Sequence, residues 1–482
     1  MGLLGILVAL SALIWLAYRG WSVLLLAPAA ALVAAAFARE PPLAHWTVTF
    51  MEGAARFVAQ FFPIFLLGAL FGKLMDDSGS VTAIAHFMAE KLGPRRAILS
   101  VVLAGAFVTY GGVSLFVAFF VLAPMAQELF RKAGTPRRLA PAAIALGTPT
   151  FTMSALPGTP TIQNAIPMPF FGTTAFAAPG LGVIAALIML GFGMWWLSRA
   201  ERAASRRGEG YGDEPSVHVD VTEDQPIRER AALATEFDLA ELPHGHRGGA
   251  PSILVAALPL IVVVGVNLVM SLGLIPRMDD SFLAEERWGY TTLAAVGGVW
   301  SVIVALAVAI VTLILLNRRR LTEIRESVDA GVTASVLPLL SVASLVGFGA
   351  VVAAMPAFEG VRNWVLGIGG GPLVSLAVAT NVLASLTGSA SGGLTIALDT
   401  LGATYLRIAE QRGIDPALLH RVAVLGAGTL DSLPHNGAIV TLLAVCGCTH
   451  KESYLDIVVV AILSAILALV AVIVLGSAFG SF

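Results

Sequence analysis

Apolar runs at 2–17, 21–38, 56–74, 97–130, 139–171, 175–198, 251–275, 290–316, 332–356, 372–406, 417–448 and 454–480 follow one another along the chain, with one polar interruption at 199–249. Most are near the roughly 20 residues that a helix needs to cross a ~30 Å hydrocarbon core. In lipid every backbone N–H and C=O must be paired internally, so such a chain is confined to a bundle of membrane-spanning helices. Composition removes the alternatives. Only 12% of residues are charged and 57% are hydrophobic, against about a quarter charged in soluble domains. A soluble enzyme or a disordered chain of this size needs far more polar surface. A net charge of −2 without a long basic patch excludes a nucleic-acid partner. The first run lacks a basic leader and a small-residue cleavage site, and is read as a short retained span.

Two of the runs, 97–130 and 372–406, are too long for one crossing. Each is interrupted near its centre, by Thr109–Ser114 in one and Thr387–Gly393 in the other. Two half-helices meeting at a Gly/Ser tip resolve the excess length as a re-entrant hairpin, which a membrane tolerates where it is buried in protein or lines a cavity. The next run in each half is broken as well, at Ala155–Asn164 and at Asp431–Gly437, where proline removes a backbone hydrogen bond. These features recur in register: Gly111 and Gly388, Ser114 and Ser391, and Pro157 and Pro434 are each 277 residues apart. Pro63 and Pro338 mark the preceding span of each half. The expected fold is an all-α polytopic membrane protein. It has a first transmembrane repeat at 1–198, a linker loop at 199–249 and a second, inverted repeat at 250–482. Each repeat has five crossing helices and one re-entrant hairpin, with broken helices at the site.

Charge placement orients this topology. With both termini outside, all four lysines (Lys73, Lys91, Lys132, Lys451), most arginines and the 199–249 loop fall on the cytoplasmic side. Arg39, Arg56, Arg277, Arg287, Arg362, Arg407, Arg412 and Arg421 remain outside. Asp76, Asp77 and His86 read as solvated boundary residues, and Glu128 as interfacial.

Hairpin tips and broken helices leave half-helix ends near mid-membrane, where unpaired N–H groups attract an anion and freed carbonyls a cation. The candidate substrate-binding set is Gly111, Gly112 and Ser114; Pro157, Gly158, Thr159, Gln163 and Asn164; Gly388, Ser389, Ser391 and Gly392; and His435, Asn436 and Gly437. Its side chains are neutral donors and acceptors suited to a carboxylate and hydroxyls. No Lys or Arg lies in 97–130, 139–198, 372–406 or 422–450, which favours a small mono-anion over a tri-anion. Asp431 and His435 beside the second break are the candidate proton-coupling residues, and Asp399 lies further off. Cys446, Cys448 and His450 read as a helix end and not as a metal site. No metal and no cofactor is expected. The expected partners are a small organic anion, a proton and membrane lipid, and a homodimer stays open.

The segments Tyr18–Ser22, Phe62–Lys73, Thr109–Phe116, Ala155–Pro160 with Gln163 and Asn164, and Asp431–Gly437 resemble the gluconate:proton symporter family of GntP-type permeases, within the ion transporter superfamily. The resemblance implies proton-coupled uptake of a small hydroxy acid across a bacterial inner membrane by an elevator-type motion. Sugar-acid members carry a Pro-Pro-His-Pro-Gly-Pro stretch where this chain has Leu156–Pro160. The motif is similar to that of members associated with short hydroxy acids such as 3-hydroxybutyrate. Sodium-coupled di- or tricarboxylate symport is the alternative, and an intramembrane enzyme a more distant one, for want of a catalytic motif.

Overall fold

The computed structural model describes residues 2–19, 21–212, 250–434 and 436–482. The part of the linker at 213–249, and His435, lie outside the described residues. The described residues are helical, without a strand, as the sequence requires.

The first half contains α1 (Gly2–Tyr18), α2 (Val23–Ala38), the long α3 (Pro42–Asp77), a short α4 (Ser80–Leu92), α5 (Ala97–Tyr110), α6 (Leu115–Ala133), α7 (Ala140–Gly147) and α8 (Pro179–Arg206). Between α7 and α8 lie only short helical turns. The second half contains α9 (Ile253–Arg277), α10 (Leu293–Asn317), α11 (Ile324–Ala354), α12 (Phe358–Leu366), α13 (Pro372–Thr387), α14 (Ala390–Arg412), α15 (Pro416–Thr429), α16 (Gly437–Val445) and α17 (His450–Phe479). The order repeats, with α16 standing where the first half has only short turns. Helices α13 and α14 begin 275 residues after α5 and α6, and α15 begins 276 after α7, within two residues of the spacing legible in the sequence.

Among the described residues, six helices (α3, α8, α9, α10, α11 and α17) are long and apolar enough to cross a membrane unaided. Helix α1 has 17 residues and α2 has 16, or about 25 Å each, short of a full core. At 14 residues α5 reaches only about 21 Å. It turns back at Gly111–Ser114 and packs along α6. Helices α13 and α14 form the equivalent hairpin. There the arms approach so closely that a Cβ on Gly393 would lie 2.2 Å from the Ala384 nitrogen.

The halves are interlocked reciprocally. Helix α2 packs on α11 of the second half, and α10 packs on α3 of the first. The turns after the first break pack on α14 of the second hairpin, and α16 after the second break packs on α6 of the first. The terminal helices α8 and α17 pack together, and α3 and α11 run along each other at the centre. Each half's contacts are the other's with the halves exchanged, which is what a pseudo-two-fold axis produces.

Candidate functional site

The hairpin tips meet. One cavity of about 150 Å³ is lined by Gly112, Val113 and Ser114 of the first tip, by Ser391 of the second, and by Pro160, Thr161 and Gln163 of the first break. Its remaining walls come from the proline-bearing central helices, Ile64, Phe65, Gly68 and Ala69 of α3 and Ala334, Ser335 and Pro338 of α11. Small ligand pockets run to about 300–1,000 Å³ for drug-sized molecules, so this space suits something smaller.

The first tip takes its shape from Gly112, whose φ of +95° admits no ordinary side chain and where a Cβ would lie 2.7 Å from the ring of Pro160. Gly111 ends α5, packed against Leu260 of α9. Ser114 stands at the N-terminus of α6. In the first break the Tyr110 hydroxyl donates to the Pro157 carbonyl at 2.8 Å. Gly158, at φ +81°, presents its carbonyl to the Asn267 amide of α9 at 3.1 Å. Thr159 is fully buried and its hydroxyl lacks a hydrogen-bond partner among the described residues. Gln163 is buried and faces the cavity.

Asn164 is placed differently. Its amide NH₂ donates to the carbonyls of Thr159 at 3.0 Å and Ala175 at 3.1 Å, and its carbonyl oxygen lies 3.2 Å from Nε2 of His420. Its hydrogen-bonding capacity is spent on folding the break, and it is not among the residues that line the cavity.

At the second tip Ser389 caps α14, its hydroxyl accepting from the Gly392 amide at 3.1 Å and standing 3.2 Å from the Ser391 hydroxyl. Gly388 ends α13, and Gly392 packs on Leu345. Asn436 ties the second break to this tip. Its amide donates to the Gly388 carbonyl and to Asp431, both at 3.0 Å, while its own carbonyl oxygen caps α16 beginning at Gly437. Asp431 is half-buried. His435 lies outside the described residues, so its assignment is not addressed by this geometry.

Two placements correct the sequence reading. Arg421, assigned to the outer surface, is fully buried in α15. Its Nη2 and Nε donate to the Ala177 carbonyl at 2.7 and 3.2 Å, and its Nη1 to the Ser154 carbonyl at 3.3 Å. A cation therefore does stand at the first break, next to Met153 of the cavity wall. Its neighbour His420, also fully buried, bonds Thr173 at 2.7 Å as well as Asn164. Both belong to the apolar run that starts at 417, where a basic pair inside a helix is a legible signal. Asp76, read as solvated, is 0% exposed, because α3 continues through the protein interior to its last turn. Asp399 is partly buried, 3.8 Å from Arg56. Asn267 gave no signal, being a lone amide in an apolar helix.

On the side of the polar linker, Arg138 donates to Glu209 at 2.7 Å and to Asp456 at 2.8 Å. The Arg138 hydrogen bond and charge hold the Glu209 carboxyl below its ordinary range.

Comparison with known proteins gives a consistent picture. Residues 1–192 match the profile described as GntP family permease. The chain is 40% identical over 482 residues to "Uncharacterized transporter YxjC" of Bacillus subtilis (strain 168), covering 98% of each. It is 37% identical over 106 residues to "High-affinity gluconate transporter" of Escherichia coli (strain K12), a match to 21% of this chain and 23% of that one. Among solved structures, the Alcanivorax borkumensis YdaH transporter aligns at TM-score 0.53 and 17% identity, over 91% of this chain and 89% of that one. The Neisseria gonorrhoeae MtrF structure aligns at 0.53 and 12% identity, over 90% and 84%. At that identity the two structures speak for the fold alone.

Proposed function

The chain belongs to the GntP permease family, a multi-pass membrane transporter and not an enzyme, and from that premise we propose that it takes up a small hydroxy-carboxylate together with a proton across the bacterial inner membrane. The observation that carries this reading is the convergence of both hairpin tips and the first break on one cavity with hydroxyl and amide walls. Ser114, Thr161, Gln163, Ser335 and Ser391 supply neutral donors and acceptors for a carboxylate and a hydroxyl. The buried charge of Arg421 behind Ser154 favours a single negative charge. The small volume favours a short acid of the 3-hydroxybutyrate type over a six-carbon sugar acid.

The hairpins are re-entrant and the halves inverted, with both termini outside and the linker inside, as the positive-inside bias supports. Alternating access follows from two hairpins that enclose one site from opposite faces. Asp431 is the coupling acid of the second break. A bound carboxylate repels its charge, a proton removes that repulsion, and proton and substrate therefore strengthen each other's binding by the same factor.

Uptake of labelled short hydroxy acids into proteoliposomes, with a proton or a sodium gradient imposed separately, tests the reading. Accumulation driven by an inward proton gradient in sodium-free buffer is expected. Accumulation that needs sodium and ignores the proton gradient would overturn it in favour of sodium-coupled carboxylate symport.

A further inference from the structure

Resting on the proton-coupled reading, we propose that Asp76 is a second proton-binding site, built into the wall of the transport path and separate from the acid at the second break. The argument starts from the face of α3. That helix lines the cavity with Phe65, Gly68 and Ala69, and the helical period carries this face on through Gly72 to Asp76, four residues further. Gly72 marks the contact: a Cβ there would lie 3.6 Å from the backbone nitrogen of Ser114 at the first tip. Asp76 stands one turn beyond, about 6 Å along the axis.

The surroundings select what the carboxyl can hold. Asp76 is 0% exposed and neither of its oxygens has a hydrogen-bond partner among the described residues. On its own helix, Lys73 donates to the neighbouring Asp77 at 2.9 Å. The other charged groups on the helices packed against α3 are His86, Glu90 and Lys91 of α4 and Arg325, Glu326 and Asp329 of α11, all exposed at the surface. Helix α10, the third neighbour, contains no charged residue. An ionised carboxylate enclosed without water or a donor on either oxygen is strongly disfavoured, whereas the neutral acid has a single O–H to place. A divalent or alkali cation is the poorer occupant, because the Lys73 ammonium lies on the same turn and, among the described residues, no group of metal-ligating side chains converges there.

The arrangement seen here therefore holds Asp76 with its proton on one Oδ. Movement of the first hairpin away from Gly72 opens that turn of α3 to water, and the proton leaves to the face then exposed. Because the same tip carries Ser114 of the cavity wall, proton binding at Asp76 and closure over the substrate are linked through one contact.

The experiment uses the full chain in proteoliposomes with the membrane potential clamped at zero. Removing one coupled proton lowers the steady accumulation ratio by about tenfold per pH unit of gradient. Asp76→Asn is expected to lose that factor while substrate exchange persists, and Asp77→Asn to keep it. An Asp76→Asn protein that accumulates like the parent would overturn the inference. If the parent itself ignores the proton gradient, the proton-coupled reading fails, and Asp76 is judged by direct observation. The infrared carbonyl band of a protonated carboxylic acid is expected in the parent near neutral pH and absent from Asp76→Asn. Should that variant not fold, carbodiimide labelling of the parent, mapped by mass spectrometry, is expected to modify Asp76 at neutral pH and to be suppressed at alkaline pH. Absence of labelling at Asp76 at every pH would overturn the inference.

Discussion

Replacing Arg421 by glutamine removes a buried positive charge while leaving an amide that can still reach one of its carbonyl partners. The guanidinium lies 3.3 Å from the Ser154 carbonyl, and the residue before Ser154 lines the cavity. Adding one residue step of about 3.8 Å reaches the wall, and a contact of about 4 Å from wall to ligand puts the charge about 11 Å from a bound anion. At an effective dielectric of about 20, a unit charge at about 11 Å contributes about 1.5 kcal/mol, or roughly 10-fold in Kd. Burial keeps the interaction from being screened, so the effect should persist at high salt. Arg421→Lys retains the charge but not the fork that spans Ala177 and Ser154. It should keep anion affinity within a few-fold and lose thermal stability through the carbonyl bonds it abandons. The assay is equilibrium binding of the best transported hydroxy acid to detergent-purified protein, with melting curves on each variant. A folded Arg421→Gln protein that binds within twofold of the parent would refute the electrostatic argument and reduce Arg421 to a brace for the break.

Ser391→Ala and Gln163→Ala each remove a polar group from the cavity wall, and each should raise the substrate Kd about 10- to 150-fold, from the roughly 1.5–3 kcal/mol of a bond to a charged group, with an unchanged melting temperature. Asn164→Ala should instead lower the melting temperature, because the Thr159 and Ala175 carbonyls lose their donor, and transport should fall with the folded fraction. Asp431→Asn should still bind and exchange substrate but accumulate less of it against a gradient, measured as counterflow against net uptake. For Glu209, whose folded carboxyl is held below its ordinary value of 4.5 by Arg138, the stabilisation is present above about 4.5 and is lost as pH falls through the lower folded value. Melting temperature should drop over that acid window in the parent, and the drop should be smaller in Glu209→Gln.

What the sequence discloses and what it hides divide along a physical line. Helix length, tip composition and proline position are local, and they were enough to place α5–α6, α13–α14 and both breaks, with a register within two residues of the observed spacing. Ser114, Gln163 and Ser391 fall on the cavity because each sits at or beside a helix end that must be near mid-depth. The side-chain partners are not local. Asn164 bonds a histidine 256 residues away, and Asn267 bonds a glycine 109 residues away. No pattern within either segment announces such a pairing. Arg421 and Asp76 were misplaced for one shared reason. Each sits near the end of an apolar run, where a surface position is the usual outcome, yet both side chains are fully enclosed by neighbouring elements.

The reciprocal packing of the halves makes the remaining asymmetry informative. The first break is held by Tyr110 and Asn164 of its own half and also by side chains of the other half: Asn267 on Gly158, His420 on Asn164, and Arg421 on Ser154 and Ala177. The second break is held by its own half, through Asn436 on Gly388, the Tyr454 hydroxyl on the Ser432 carbonyl and His450 on the Pro434 carbonyl. Two-fold backbone symmetry gives a transporter two equivalent gates, but equal chemistry at both breaks would surround a mono-anion with either two cations or two acids. The first break has the Arg421 cation on its Ser154 and Ala177 carbonyls and the second has the Asp431 acid on Asn436, so the two breaks differ in the sign of the charge beside them. On the proposed proton-coupled reading, the substrate carboxylate is drawn toward Ser154, while a proton on Asp431 weakens the opposing charge. On that reading the duplicated scaffold supplies the motion, and the unduplicated residues supply the polarity that couples the motion to a proton.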